Sequence, residues 1–230
     1  SRGLEVVVVA VADVSAGADV LMVSASIDEL AALKGRRIAV ELNGVSGIML
    51  LKILEVAGLG PNDVIKVDMP VSKHAEAWAR GEVDASVCYE PTASVIESLG
   101  GVRLFDSSDV PETIFDVLVV TREAAEKHRR PVSDLVGAHF AGLQHLVRNL
   151  HDSVYRVADR QGIDPDEVRS ALATVMLPDL AANQRYLTAA GPIESMAGSL
   201  SRLMLAEGMI DRDPAIQRLS DASFLPSRVP

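Results

Sequence analysis

Residues 36–60 read RRIAVELNGVSGIMLLKILEVAGLG and contain a strand, a turn and a helix in direct succession. The run Arg37–Leu42 predicts a strand, and a Gly/Ser turn leads from it into an apolar helix from about Ser46 to Ala57. Gly58 marks the end of that helix, because glycine readily adopts the left-handed conformation found there. This stretch is the repeating unit of an α/β fold.

The same alternation continues to about residue 111. Further strands are predicted at 64–69, 83–88 and 102–105, and helices at 72–80 and 91–99. Strands that alternate with helices at this spacing need right-handed crossovers and form a parallel, doubly wound sheet. Residues 34–111 are therefore predicted to form one lobe, the second lobe of the chain.

The segments before and after this lobe would be incomplete by themselves. Glu5–Ala12 is an almost continuous apolar run, typical of a strand buried on both faces, and such a strand has neighbours on both sides. Little of this sequence precedes it, so we expect a fragment of a longer precursor or a strand that borrows a neighbour from a partner. Val20–Val23 and Phe115–Val120 are further predicted strands, expected to share its sheet.

Helices dominate the rest of the prediction. Ser26 and Glu29 have the spacing of a capping box, which predicts a brief helix before the second lobe. Beyond residue 121 we predict helices at 122–129, 132–149, 151–161, 165–176 and 193–207. Asp164 is the predicted N-cap residue of the helix at 165–176. Residues 1–33 and 112–230 then form a first lobe, and the two chain crossings are typical of a hinged clamp with ligand in its cleft. A single α/β domain with an appended helical bundle is the alternative.

Composition limits the classes of function. The 230 residues are 48% hydrophobic and 23% charged, which is typical of a globular protein. The net charge of −10 argues against a nucleic-acid or anionic-membrane surface, because both need clustered Lys and Arg. No apolar run reaches the roughly 20 residues of a membrane span, and the first residues lack the features of a signal peptide. Cys88, the single cysteine, can form neither an internal disulfide nor a thiolate zinc site. At the end of a predicted buried strand it is expected to pack as a small apolar residue.

Two polar loops follow predicted strands and are candidate binding loops, because ligands of α/β proteins bind at the carboxyl ends of strands. One comprises residues 13–19 and the other residues 42–47. The alternative for the first loop is a plain turn, and for the second a helix cap by Asn43 or Ser46. In the second loop the backbone N–H groups of Val45 to Gly47 are expected to point out of the helix start, where anions or carbonyls bind.

Two further carboxylates are candidates. Glu90 lies in a third candidate binding loop, between a predicted strand and the helix beginning at Pro91. There it could accept hydrogen bonds from a ligand or simply favour the helix dipole. Asp116 lies at the start of an apolar strand and needs a partner, which is either a ligand or a backbone N–H group.

Motifs for chemistry are missing from the sequence. It contains no phosphate loop, no Gly-x-Gly-x-x-Gly after a strand and no His-Glu-x-x-His, and Ile48 breaks a Gly-x-Ser-x-Gly elbow. His139, His145 and His151 recur every six residues and do not share one helix face as metal ligands. The sequence therefore shows no motif for catalysis and no set of metal ligands.

Several segments together resemble the substrate-binding proteins of ABC importers in the nitrate, sulfonate, taurine and bicarbonate group. Each segment is weak evidence alone, but their order is specific. They are Asp13–Asp19, Leu33–Glu41, Asn43–Ser46, Gly81–Ala85, Tyr89–Pro91, Asp116–Val120, Asp179–Asn183 and Asp221–Pro226.

The resemblance implies an α/β fold of the periplasmic-binding-protein type II class, with two doubly wound lobes, a hinge and an incomplete first lobe. It also implies a small-molecule solute, ABC permease subunits as partners, a periplasmic or extracytoplasmic location, and no contact with nucleic acid. Catalysis, a metal and a tight cofactor are not expected in this group. The ligand-binding residues it implies are Asp13, Ser15, Gly17, Ala18, Asn43, Gly44, Val45, Ser46, Glu90 and Asp116.

Two departures and two alternatives accompany the resemblance. Members of the group often have an aromatic residue at the position of Val14 and a Trp at that of Tyr89, and they begin with a further part of the first lobe.

The acids Asp13, Glu90 and Asp116 favour a zwitterion, amide or heterocycle over a purely anionic ligand. The alternatives are a ligand-sensing domain of a regulator and an enzyme on the same fold, similar to a pyrimidine synthase or a dehydratase.

Overall fold

The computed structural model describes residues 4–206, 208, 210–214 and 216–228. The chain forms two compact units. Unit 1 comprises the residues up to Val14 and those from Phe115 onward, and unit 2 comprises Ser15–Ile114. The chain therefore passes between the units twice, at 14/15 and at 114/115, whereas the sequence placed these crossings at 33/34 and 111/112.

Strands and helices alternate through the first half, and helices follow. The strands are β1 (Val6–Ser15), β2 (Val20–Ser24), β3 (Arg37–Val40), β4 (Ile65–Asp68), β5 (Ala85–Cys88), β6 (Gly101–Asp106), β7 (Phe115–Thr121) and β8 (Val175–Met176). The helices are α1 (Val45–Ala57), α2 (His74–Ala79), α3 (Thr92–Ser98), α4 (Arg122–Lys127), α5 (Arg129–Arg148), α6 (Leu150–Gln161), α7 (Pro165–Ala173), α8 (Leu180–Tyr186) and α9 (Pro192–Ala206). Short 3₁₀ helices span Leu30–Leu33, Val71–Lys73, Ser107–Asp109 and Ala222–Phe224.

Unit 2 is built on a five-stranded sheet of order β4-β3-β5-β2-β6. β3 is parallel to β4 and β5, while β2 is antiparallel to its neighbours β5 and β6. The sheet is therefore mixed, and the expectation that Val20–Val23 share a sheet with the N-terminal strand is wrong. All four of these residues are buried, as in a central strand with a neighbour on each side.

The two faces of β2 carry separate parts of the core. Leu21 and Val23 pack in a cluster with α1 residues such as Ile53. Val20 and Met22 point the other way and pack in a cluster with residues of α3. Full burial of each such side chain contributes roughly 1.5–3 kcal/mol, so helices on both faces stabilise the sheet.

Unit 1 contains the three-stranded sheet β7-β1-β8. β1 and β7 are antiparallel, which confirms that the first strand and residues 115–120 share a sheet. Val7 and Val9 pack in a cluster with Phe140, whereas Val8 and Val11 pack in a cluster with Tyr186. β1 is thus buried on both faces, as predicted.

C-terminal segments cover β1 on the side away from β7. The N–H of Val8 donates to the carbonyl of Leu219 at 2.7 Å, and the N–H of Asp221 donates to the carbonyl of Val8 at 3.0 Å. At Val11, the side chain of Asn183 accepts from the N–H at 2.7 Å and donates to the carbonyl at 3.1 Å. At these positions the chain itself supplies the neighbour that the apolar pattern of β1 requires.

Of two predicted helix caps, the structure confirms one and contradicts the other, and two short elements were not predicted. Asp164 caps α7 as predicted, accepting from the N–H of Asp166 at 2.8 Å. The capping box at Ser26 is wrong, because the 3₁₀ helix there starts at Leu30 and its N-cap residue Glu29 makes no side-chain cap. α8 and β8 were missed, since α8 spans seven residues and β8 two, too few for a clear period.

Candidate functional site

Polar loops gather at one edge of the sheet in unit 2. β3 and β5 are parallel, so their carboxyl ends lie at the same edge. β2 runs the opposite way, and its first residue, Val20, pairs with Cys88 of β5 and Asp106 of β6. The loops before β2 and after β3, β5 and β6 therefore share this edge, called here the carboxyl edge.

The loop before β2 is fixed by hydrogen bonds to the turn after β6. Ser15, 6% exposed, donates through Oγ to the carboxylate of Asp19 at 2.7 Å and lies 2.7 Å from Ser107 Oγ. Ser107 Oγ also accepts from the N–H of Gly17 at 2.7 Å. The Gly17 φ of 114° is one that side-chain-bearing residues rarely adopt. Ala18 lies in the same loop and is partly buried.

Glu90 is held by α3 and by Arg103. Its Oε2 accepts from the N–H of Ser94 at 3.1 Å and from the Ser94 hydroxyl at 2.7 Å. Its Oε1 lies 3.6 Å from Nη2 of Arg103, whose Nη1 donates to the carbonyl of Gly17 at 3.1 Å. Arg103 thereby connects two of the predicted binding loops.

The start of α1 has no side-chain cap. Gly44 is the N-cap residue, and the Ser46 hydroxyl instead accepts from the Glu41 N–H at 2.9 Å and donates to the Glu41 carbonyl at 3.2 Å. The expectation of a cap from Asn43 or Ser46 is therefore wrong. The N–H of Gly47 donates to the carbonyl of Gly44 at 3.1 Å, so it is not among the groups that point out of the helix. Asn43 and Val45 are exposed at this edge.

Asp13 and Asp116 belong to unit 1. They are register partners in the pairing of β1 with β7. A register shift in that pairing lies next to them, between Val11 and Asp13. Asp116 is exposed, and Asp13 is partly buried. The structure thus brings these two predicted carboxylates to the same level of one strand pair.

Buried polar groups lie below the carboxyl edge. His74 is fully buried, with Nδ1 2.9 Å from Ser86 Oγ and Nε2 3.2 Å from the Met69 carbonyl. Burial lowers the pKa of His74, against the opposing effects of the Met69 carbonyl and the Glu41 charge. Burial raises the pKa of the Cys88 thiol to about 11. Cys88 is 1% exposed and packs as a small apolar residue, as predicted.

The part of the chain that the structure describes holds neither a metal cluster nor a membrane-spanning helix. No group of three His, Cys, Asp or Glu side chains there is arranged to hold a metal ion. No helix in that part of the chain is long and apolar enough to cross a membrane.

Sequence reasoning missed Arg103 and Ser107. Arg103 is a basic residue within the otherwise apolar run of β6, and Ser107 lies in a turn rich in Asp and Ser. Both were weak signals. Their importance arises from pairings with residues about 90 positions earlier in the chain.

The comparison with protein families is decisive for classification. The family model described as NMT1/THI5 like matches residues 1–150, which is more than half of the chain. The chain belongs to the NMT1/THI5-like family. Membership accounts for the order of motifs in the sequence.

A curated relative of this NMT1/THI5-like chain is an Escherichia coli K12 protein named "Putative aliphatic sulfonates-binding protein". The two are 28% identical over 176 residues, which cover 75% of this chain and 54% of the relative. The match thus spans about half the length of that relative.

Solved structures show the fold. The alkanesulfonate-binding protein SsuA from Xanthomonas axonopodis pv. citri, bound to MOPS, has a TM-score of 0.72 at 20% identity, covering 94% of this chain and 73% of that one. The desulfurization enzyme DszB has a TM-score of 0.65 at 16% identity, covering 97% and 79%. The NMT1/THI5-like chain therefore has the type II periplasmic-binding-protein fold, which serves binding proteins and also an enzyme.

Proposed function

We propose that this chain binds a small polar solute at the carboxyl edge of unit 2 and delivers it to an ABC importer from a periplasmic or other extracytoplasmic location. The observation that carries the proposal is the gathering of three predicted binding loops at this edge in a member of the NMT1/THI5-like family. The sulfonate-binding proteins among its relatives support a solute of that kind.

The edge offers complementary groups to such a solute. The backbone N–H groups of Val45 and Ser46 lie in the first turn of α1, where orphan N–H groups and the helix dipole favour anionic or carbonyl oxygens. The exposed amide of Asn43 adds a donor and an acceptor. Ser15, Gly17, Ala18, Gly44 and Glu90 shape the same edge. The roles of Asp13 and Asp116 in unit 1 stay predictions from the family resemblance.

The proposed activity is binding without catalysis. An enzyme on this fold that used cysteine would need a reactive thiolate, and thiolates form at exposed sites that lower the pKa. Cys88 has the opposite environment, with 1% exposure and a pKa raised to about 11. This argument supports a binding protein over an enzyme that works through this cysteine.

Thermal unfolding in the presence of candidate solutes tests the proposal. The panel comprises ethanesulfonate, taurine, nitrate, bicarbonate and an aminopyrimidine. A solute at about 100 times its dissociation constant stabilises the folded state by roughly 2.7 kcal/mol. For a chain of this size that corresponds to a rise in Tm of about 5–11 °C. A cooperative transition that no member of the panel shifts would contradict the proposal for these solute classes.

A pair of variants locates the site. Val45→Pro removes one N–H at the first position of α1, where proline fits the helix. Val45→Ala keeps that N–H and is the matched control. We expect the proline variant to lose most of the solute-induced shift and the alanine variant to keep it. Equal shifts in both variants would exclude this N–H as a ligand contact.

A further inference from the structure

Arg103 occupies a place at the carboxyl edge that no ligand-binding pattern in the sequence predicted. It lies in β6 opposite Met22, next to the register shift that separates this pair from Leu21 and Phe105. Its side chain is 37% exposed, so the guanidinium is partly accessible to solvent. From this position it faces two loops that belong to different parts of the chain.

The first contact of Arg103 fixes the loop before β2. Gly17 donates its N–H to Ser107 Oγ at 2.7 Å and accepts at its carbonyl from Arg103 Nη1 at 3.1 Å. The N–H of Ser107 donates to the carbonyl of Asp19 at 2.9 Å. Both polar groups of the Gly17 backbone are thus held by side chains from β6 and the turn after it.

The second contact pairs Arg103 with a carboxylate. Nη2 lies 3.6 Å from Glu90 Oε1, while Glu90 Oε2 accepts two hydrogen bonds from Ser94 at the start of α3. Asp106 is a further acid nearby, with Oδ2 4.0 Å from Nη1. The positive charge of Arg103 therefore lies opposite the Glu90 carboxylate, which Ser94 orients.

We infer that Arg103 is a positioning residue that holds the Gly17 loop and the Glu90 turn in register and sets the ligand charge that the carboxyl edge accepts. Only the second part of this inference, the effect on ligand charge, rests on the proposed function. Loss of Arg103 leaves Glu90 as an unbalanced negative charge, which repels anions. Loss of the Glu90 charge leaves Arg103 with the longer, 4.0 Å contact to Asp106, so the edge becomes less negative and attracts anions more strongly.

Amide hydrogen exchange tests the positioning without any ligand. In Arg103→Met we expect exchange at the N–H groups of Gly17 and Ser94 to be faster by roughly three- to tenfold. Arg80→Met is the matched control, because Arg80 also pairs with carboxylates in unit 2 and is 52% exposed. It should leave both rates unchanged. Unchanged rates in Arg103→Met would overturn the inference.

Calorimetric binding of two isosteric probes tests the charge effect. Ethanesulfonate is anionic and ethanesulfonamide is neutral, so the ratio of their affinities reports ligand charge. We expect this ratio to fall in Arg103→Met and to rise in Glu90→Gln, each by roughly three- to tenfold. If Arg103 and Glu90 only maintained loop structure, the affinity ratio would change in the same direction in both variants. That result would overturn the charge effect.

The hydrogen-exchange and calorimetric experiments distinguish a failure of the proposed function from a failure of the inference about Arg103. If the wild-type chain binds neither probe, the proposed function fails for sulfonates and the exchange rates still decide whether Arg103 positions the loops. If the wild type binds and the ratios do not move in opposite directions, the proposed function stands and the charge effect of Arg103 is wrong. Arg103→Lys, which keeps the charge, should keep the wild-type affinity ratio.

Discussion

At the scale of single residues, close backbone approaches decide what the chain tolerates. A Cβ atom at Gly47 would lie 2.4 Å from the carbonyl oxygen of Leu42, far inside van der Waals contact. Gly47 is in the first turn of α1, so this contact sets how closely the helix approaches the end of β3. The sequence showed a glycine in a Gly/Ser turn, but the close approach depends on the conformation of the turn between β3 and α1.

Gly47→Ala should destabilise the protein by about 1–3 kcal/mol, because the backbone of Leu42 must move to admit the methyl group. Chemical denaturation measures the change in the free energy of unfolding. Gly142→Ala is the control, since a Cβ there meets no atom within 4 Å and alanine favours the helix α5. A Gly47→Ala protein as stable as wild type would show that the two segments adjust freely.

His74 gives the protein a pH dependence with a definite sign. Its pKa is lowered in the folded state, mainly by burial, so protons bind more strongly to the unfolded chain. The stability from this group is therefore full above the unfolded pKa of about 6.5 and is lost as the pH falls below it.

The free energy of unfolding should decrease between pH 7.5 and pH 5.5, and His74→Gln should reduce that decrease. His139 adds to the wild-type effect, because burial lowers its pKa as well. Asn62→Ala, at an exposed position without a titratable group, should keep the wild-type slope. If the free energy of unfolding depended on pH equally in His74→Gln and wild type, the pKa of His74 would be the same in the folded and unfolded chain.

At the scale of elements, β1 shows how a sequence signal and its explanation can lie far apart. Its apolar run predicted burial on both faces, which the structure confirms. The groups that cover its second edge come from α8 and from residues 219–221, over 160 positions later. No local pattern indicates which distant segment pairs with a strand, so this part could not be predicted.

Asn183→Ala should destabilise the protein by at least about 2 kcal/mol, because the buried N–H and carbonyl of Val11 lose their partners. Denaturant unfolding measures this change. Asn62→Ala, at an exposed position, is the control and should stay within about 0.5 kcal/mol of wild type. A destabilisation below about 2 kcal/mol in Asn183→Ala would mean that water replaces both hydrogen bonds to Val11.

At the scale of the whole molecule, unit 2 is one continuous segment, whereas unit 1 is assembled from two. Unit 2 has its own five-stranded sheet and core clusters on both faces. A segment of this length with its own core is of ordinary domain size. Trp78, the single tryptophan, packs in that core and reports on its folding.

A fragment of residues 15–114 should therefore unfold cooperatively, followed by the fluorescence of Trp78. A fragment of residues 34–111, the lobe that the sequence predicted, is the matched comparison. It lacks β2, the strand between β5 and β6, and should show no cooperative transition. Equal behaviour of the two fragments would contradict the role assigned to β2.

The sequence by itself determined the order of most strands and helices, the burial of β1 and Cys88, and the loops that carry candidate site residues. These features depend on hydrophobic period and on turn and cap residues, which act over a few positions. The tertiary structure alone decided that β2 lies between β5 and β6, that Asn183 covers Val11, and that Arg103 joins Gly17 to Glu90. Those pairings depend on register and contact between distant segments, which no short-range pattern specifies.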